Sequence, residues 1–273
     1  MKISVALIGN PNVGKSVIFN NLTGLKQHTG NWPGKTVEMK EGNFTYKDQE
    51  FEIIDLPGVY SLSARSEDEE VARDYLIDNR PDVVVDILNA SQLERNLYLA
   101  LLLIELQVNL VIVLNMYDVV EGRGDKIDIE RLSERLGVPI VVTTATKKEG
   151  MDELKEAILR AAPNHVAAKL AGAADTTEEQ HKPGEDPKRN HLHYHPKLHH
   201  HGQYERLRPP AIKYSNRIEK RLKQIVMILD SEPELMERFP PRYLALRILE
   251  RDPDILSLIE NQELKDALLE VTL

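Results

Sequence analysis

Apolar and polar residues fall in blocks along this chain, and the period of the pattern switches from block to block. Ile3 to Ile8 is a nearly unbroken apolar run of strand length. Comparable runs recur at Phe51–Leu56, Val83–Leu88, Leu110–Leu114 and Pro139–Val142. Between them the apolar spacing widens to three and four residues, the period of a helix with one buried face. Such stretches cover about 17–22, 65–79, 91–107, 128–137 and 150–161. This alternation predicts an α/β fold: a mixed, mostly parallel sheet with helices on both faces. Thr36 to Tyr46 reads as an antiparallel edge strand, and Gly137-Val138-Pro139 as a helix end followed by a strand start.

The pattern is lost after Pro163. Residues 164 to about 210 are polar and His-rich and sustain neither period, which predicts an exposed or disordered insert. From Ala211 the helical period returns, with Ile218, Leu222, Ile225 and Leu229 on one face. Pro-bounded helical segments follow at 233–239, 241–251 and 253–270. The expected division is a nucleotide-binding domain at 1–162, an insert at 163–208 and a small all-helical domain at 209–273. No internal repeat is visible. Leu97 to Met116 could pass for a membrane span, but Glu105, Gln107, Asn109 and Asn115 interrupt it. A buried helix ending near Gln107, then a buried strand at Leu110–Leu114, explains it better.

Composition narrows the possibilities. The chain has 273 residues, 41% of them apolar, enough for a substantial core. A formal net charge of −9 argues against nucleic acid as a partner. The absence of cysteine excludes disulfides, thiolate metal sites and a cysteine nucleophile. The first strand begins so near the N-terminus that no signal peptide is visible.

Gly9, Asn10, Pro11, Asn12, Val13, Gly14, Lys15 and Ser16 match the phosphate-loop form G-x-x-x-x-G-K-[ST], with a strand before it and a helix after it. That context lets backbone N–H groups and the positive end of the helix surround a polyphosphate. Lys15 reaches the outer phosphates and the Ser16 hydroxyl suits Mg²⁺. Asp55, Leu56, Pro57 and Gly58 end the next strand; the aspartate suits a Mg²⁺ water and the Gly58 N–H a γ-phosphate. Asn115-Met116-Tyr117-Asp118 has the N-x-x-D form of a guanine reader, since a carboxylate can accept from both guanine N1–H and the 2-amino group. Met116 stands where a lysine is usual. Thr144, Ala145 and Thr146 end the last strand, where backbone N–H groups could meet guanine O6. In the first switch region, within Gly30 to Thr36, Gly34 and Lys35 lead to Thr36, a candidate Mg²⁺ ligand. Four motifs, in this order and each at a strand end, define a Ras-like P-loop GTPase.

Val59 follows Gly58 where Ras-like enzymes often carry a water-orienting glutamine, so unaided hydrolysis should be slow. Asn12 offers a carboxamide oxygen that could hold a monovalent cation, K⁺, near the phosphates and supply transition-state charge. The candidate catalytic residues are therefore Asn12, Lys15, Thr36 and Gly58.

The segments GNPNVGKSVIFNNLTG, GNWPGKTVE, DLPGVYSL, ERNLYLALLLIEL, NMYD and PRYLALRILERD together resemble the ferrous iron transport protein B family. The resemblance spans residues 1–162 and about 203–273. It implies a GTPase domain that binds GTP, GDP and Mg²⁺ at the cytoplasmic face of a membrane, a helical spacer, and an iron-transport membrane domain carried in cis beyond residue 273 or in trans. It also implies potassium-stimulated hydrolysis, with the backbone at Gly30 and Trp32 completing a cation site with Asn12. Val17, whose N–H can still serve the α-phosphate, Lys35 and Asn89 depart from the family's usual residues. A homo-oligomer is left open. Seven of the nine histidines lie between His181 and His201; incidental metal affinity of a polar loop is favoured there over a built metal site. The other functions considered are a stand-alone Ras-like GTPase of ribosome assembly or tRNA modification, and a metal-buffering scaffold with a vestigial nucleotide site.

Overall fold

The computed structural model describes residues 2–24, 27–63, 65–162 and 212–273. The polar insert and its histidine cluster lie outside the described residues. Seven strands form one sheet: β1 (Ile3–Gly9), β2 (Gln27–Asn31), β3 (Glu38–Tyr46), β4 (Gln49–Asp55), β5 (Val83–Asn89), β6 (Leu110–Asn115) and β7 (Ile140–Val142), in the order β2-β3-β4-β1-β5-β6-β7. Strands β4, β1, β5, β6 and β7 pair in parallel, and β2 and β3 run antiparallel to their neighbours. The expected strand before Tyr46 is therefore present as β3, but it is not the edge. β2 pairs outside it, from Gln27 opposite Gly42 to Asn31 opposite Glu38. Its sequence, QHTGN, has no apolar alternation, so pairing with β3 rather than burial makes it a strand.

Helices α1 (Lys15–Thr23), α2 (Glu67–Asp74), α3 (Leu93–Glu105), α4 (Tyr117–Gly122), α5 (Ile129–Leu136) and α6 (Met151–Ala161) connect the strands. α2 continues into a wider π-helical turn at Tyr75–Asn79. The apolar stretch 97–116 resolves into α3 and β6, and among the described residues no helix is long and apolar enough to cross a membrane.

Successive strand residues point to opposite faces and feed two cores. Val5, Leu7, Val85, Val111 and Val113 pack with Ile18 and Phe19 of α1 and with Leu154 and Ile158 of α6. Ala6, Ile8, Val84, Leu88, Ile112 and Leu114 pack with Leu99 and Leu103 of α3. This second core runs on into the C-terminal helices α7 (Asn216–Leu229), α8 (Pro233–Arg238), α9 (Pro241–Leu249), α10 (Pro253–Ser257) and α11 (Gln262–Val271). Leu222, Ile225 and Leu229 are buried on the face that the spacing predicts. The single segment expected at 253–270 is two helices. Asn261 restarts the chain by accepting from the Leu264 N–H at 3.2 Å.

Charge joins the two parts as well. Arg242 on α9 bonds Glu105 at the end of α3 at 2.9 Å and Glu219 on α7 at 2.8 Å. Burial raises the Glu105 carboxyl above its usual range against the pull of Arg242. Arg242 holds the Glu219 carboxyl down to about 2. Tyr98 of α3 donates to Glu250 at 3.2 Å, and Arg238 of α8 reaches Asp78 of the π-helical turn at 3.4 Å.

Asp86 sits in the middle of β5, 1% exposed, and its Oδ2 has no hydrogen-bond partner. Burial pushes its carboxyl well above the usual range and so favours its neutral form. A raised folded-state pKa costs nothing below the unfolded value, about 3.9, and costs more as pH rises from there toward the folded value. Asp86→Asn should therefore gain stability over the parent as pH rises from 4 to 7, by about 1 kcal/mol per unit while Asp86 stays protonated in the fold. Urea unfolding across that range measures it; a pH-independent difference would mean that the carboxyl is ionised and partnered.

Candidate functional site

Every strand-end motif predicted from the sequence lands at the C-terminal edge of the sheet, where the parallel strands deliver their loops. The phosphate loop leaves β1 and turns into α1. Asn12 takes a positive φ of 65° and is exposed, Asn10 and Val13 are buried, and Pro11 lies between. Gly14 takes φ 89° and faces Asn115, whose amide a Cβ at this position would overlap. Only glycine satisfies both demands. α1 begins at Lys15, with the N–H groups of Val17 and Ile18 bonded back to the Gly14 carbonyl at 3.1 and 3.2 Å. The Ser16 and Val17 side chains are exposed at this helix start.

Asn115 is the structural centre of the site. It ends β6, is 2% exposed, and donates from Nδ2 to the Val13 carbonyl at 2.8 Å. Its Oδ1 accepts from Ala145 N–H and from Thr143 Oγ, each at 3.0 Å. One side chain thus ties the phosphate loop to the loop after β7. Met116 follows with φ 59° at the start of α4, and its side chain also lies beside Gly14. Asp118 is half-buried on α4, with Lys147 Nζ 3.5 Å from its Oδ2. Thr144 and Ala145 are buried and Thr146 is exposed. The two predicted base loops are therefore adjacent.

Asp55 ends β4, 5% exposed, and pairs with Lys15. Burial pushes its carboxyl up, and the Lys15 ammonium opposes that rise. Leu56 continues the ladder by donating to the Leu7 carbonyl at 2.9 Å. Pro57 is buried, and Gly58 approaches Pro11 so closely that a Cβ would lie 3.3 Å from its Cα. Val59 is 2% exposed and its N–H donates to the Gly9 carbonyl at 3.1 Å. Its side chain belongs to the core and reaches no water.

The first switch loop is placed differently. Gly30 lies in β2 opposite Met39, and the Trp32 carbonyl accepts from Lys35 N–H at 3.0 Å. Thr36 donates from Oγ1 to Glu67 Oε2 at 2.6 Å. Among the described residues no hydrogen bond joins Gly30, Trp32, Gly34, Lys35 or Thr36 to the phosphate loop. Thr143, Lys147, Glu67 and Glu70 are contributors that motif reading misses. Their signal is three-dimensional; the sequence marks only the start of α2, where Ser66 accepts from the Glu69 N–H at 3.2 Å.

A mostly parallel sheet with a phosphate loop, an aspartate strand end and two base loops on one edge defines a Ras-like G domain, here carrying a helical unit. The chain belongs to the ferrous iron transport protein B family: the family Ferrous iron transport protein B matches residues 3–158, and FeoB cytosolic helical domain matches 214–272. It is 43% identical over 185 residues to the Fe(2+) transporter FeoB of Escherichia coli K12, covering 64% of this chain and 24% of that protein. It is 37% identical over 254 residues to a Porphyromonas gingivalis Fe(2+) transport protein A/Fe(2+) transporter FeoB fusion protein, covering 93% of this chain and 26% of that protein. The chain thus spans about a quarter of the length of these relatives. Among solved structures, an S. thermophilus NFeoB mutant bound to mGDP aligns with TM-score 0.76 at 33% identity, over 100% of this chain and 88% of that one. The cytosolic domain of the T. maritima FeoB iron transporter in apo form aligns with TM-score 0.71 at 32% identity, over 99% and 93%.

Asn115→Ala should unfold at lower urea, by about 2–3 kcal/mol, because the Val13 carbonyl and Ala145 N–H lose a buried partner together. An unchanged midpoint would show that the loops hold their places without it.

Proposed function

We propose that this chain binds guanine nucleotides with Mg²⁺ and hydrolyses GTP slowly, as the switch-bearing module of a ferrous iron transporter at the cytoplasmic face of the membrane. The observation that carries the reading is Asn115, whose side chain bonds both the phosphate loop at Val13 and the loop after β7 at Ala145. GDP-bound relatives with the same fold support it. The proposed division is 1–162 for nucleotide binding, 163–208 as an insert and 209–273 as the helical spacer.

Lys15 and Asp55 form an ion pair. A β/γ-phosphate would draw Lys15 toward itself and leave Asp55 for a metal-bound water. The donor set fits Mg²⁺, since Ser16, Thr36 and Asp55 offer hard oxygens. When bound, the ion neutralises charge on the β- and γ-phosphates. Backbone N–H groups from Asn12 to Val17 and the α1 N-terminus hold the phosphates. Gly58 N–H is the γ-phosphate sensor. With Val59 buried in the core, it cannot orient the attacking water, which supports a low intrinsic rate. Asn12, exposed on the loop, is placed to hold K⁺ with the backbone of Gly30 and Trp32 once the switch loop closes. The membrane domain that moves Fe²⁺ is supplied in cis or in trans. A stand-alone RNA-directed GTPase is disfavoured because the appended unit matches a FeoB helical domain.

Competition binding should rank GTP and GDP together and ATP about a hundredfold weaker or more, because adenine offers no N1–H and 2-amino pair. Asp118→Asn should move preference toward xanthine nucleotides; equal affinity of the parent for ATP and GTP rejects the assignment. Hydrolysis compared in KCl and NaCl at equal ionic strength should be faster in KCl, and Asn12→Ala should erase that difference. Equal rates for the parent in both salts remove the cation role.

A further inference from the structure

The first switch loop is fastened to α2 by Glu67 and Glu70, which the mechanism above does not use. Thr36 gives both of its donors to one carboxylate: Oγ1 to Glu67 Oε2 at 2.6 Å and N–H to Glu67 Oε1 at 3.3 Å. One residue earlier, Lys35 Nζ donates to Glu70 Oε2 at 2.8 Å. Glu67 and Glu70 stand three apart on the helix and so share a face. Trp32 packs edge-on against Tyr75, with centroids 5.3 Å apart at 70°, and its indole nitrogen is buried without a partner. Side chains at three positions of the loop, spread over five residues, thus meet one continuous surface, α2 and its π-helical extension.

We infer that α2 is an inhibitory latch, in which Glu67 and Glu70 hold the first switch loop docked and keep Thr36 from a γ-phosphate and its metal. This rests on the reading of Thr36 as the switch-loop ligand. The physical reason is competition for one N–H and for the position of one residue. A γ-phosphate seeks the Thr36 N–H, which already donates to Glu67. A metal needs the hydroxyl oxygen delivered to it, and the bond to Glu67 holds that hydroxyl against α2. The same carboxylate would repel the phosphate if it stayed. GDP has no γ-phosphate and makes no such demand. The latch therefore penalises the triphosphate alone and lets the nucleotide state, through α2, set the position of the loop. Both ion-pair partners are partly exposed, with Lys35 at 33% and Glu70 at 41%, so the hold is weak enough for a bound nucleotide to break.

The test uses the full chain and its single tryptophan, Trp32. In the double variant Glu67→Ala, Glu70→Ala, acrylamide should quench Trp32 more strongly without any nucleotide. Affinity for a non-hydrolysable GTP analogue with Mg²⁺, by calorimetry, should improve by roughly threefold to tenfold while that for GDP stays unchanged. Lys35→Ala, which leaves α2 untouched, should shift both readouts the same way by less. Asp68→Ala, an exposed acid in the same turn, serves as the control for lost helix-end charge and should shift neither. Unchanged Trp32 quenching in the double variant overturns the latch whatever the nucleotides do. Freed Trp32 with an unchanged ratio of analogue to GDP affinity overturns its inhibitory role. A parent chain that binds no GDP rejects the guanine-nucleotide reading and the inhibitory role with it, and the quenching result still decides whether Glu67 and Glu70 hold the loop.

Discussion

The site depends on one buried amide. Asn115 bonds the phosphate loop through Val13 and the loop after β7 through Thr143 and Ala145. Both ends of its side chain are satisfied, and in a buried setting that matters more than the average strength of a hydrogen bond. Its reach fixes much else. Gly14 must lack a side chain to let the amide pass, and Met116 turns through a left-handed conformation immediately after it. Loops 102 and more residues apart in sequence acquire a common geometry only because β1, β5 and β6 are already paired in register. The recognition edge is thus a product of the finished sheet.

Around that fixed centre the stability is uneven. The base loops and the aspartate strand end are anchored by buried groups. The first switch loop is held through surface contacts to α2, which are cheap to break. This contrast suits the proposed switch role, which requires a rigid reader and an element with more than one place to rest. The helical unit lies on the same side of the sheet as α3, sharing a core with it, and Arg238 meets the π-helical turn that carries Tyr75. A physical chain therefore runs from Trp32 through Tyr75 and Asp78 to α8. The buried Glu105 under Arg242 pins the other side of the unit to α3, and removing that partner would strand a carboxylate in the core.

Much of this was legible in the sequence for a physical reason. Strands buried on both faces are apolar along most of their length, so β1, β5 and β6 stand out as runs. A polyphosphate cradle needs glycine and lysine at set spacing, so the phosphate loop stands out as a motif. The face of α7 followed from Ile218, Leu222, Ile225 and Leu229 alone. β2 was not legible, because a strand that lives by pairing carries no hydrophobic period. The break before Asn261 was hidden by apolar spacing that continues across it. In the sequence Asp86 is one more position of an apolar run, and only its surroundings push its carboxyl upward.

The sequence by itself determined the fold class, the order of the motifs and the residue types proposed to meet phosphate and base, since each is dictated by local period or by the chemistry of a few neighbours. The tertiary structure alone decided what those residues do to one another. Lys15 rests on Asp55, Asn115 joins two loops, and Thr36 is claimed by Glu67, because these contacts lie between segments 30 or more residues apart and no local pattern records them.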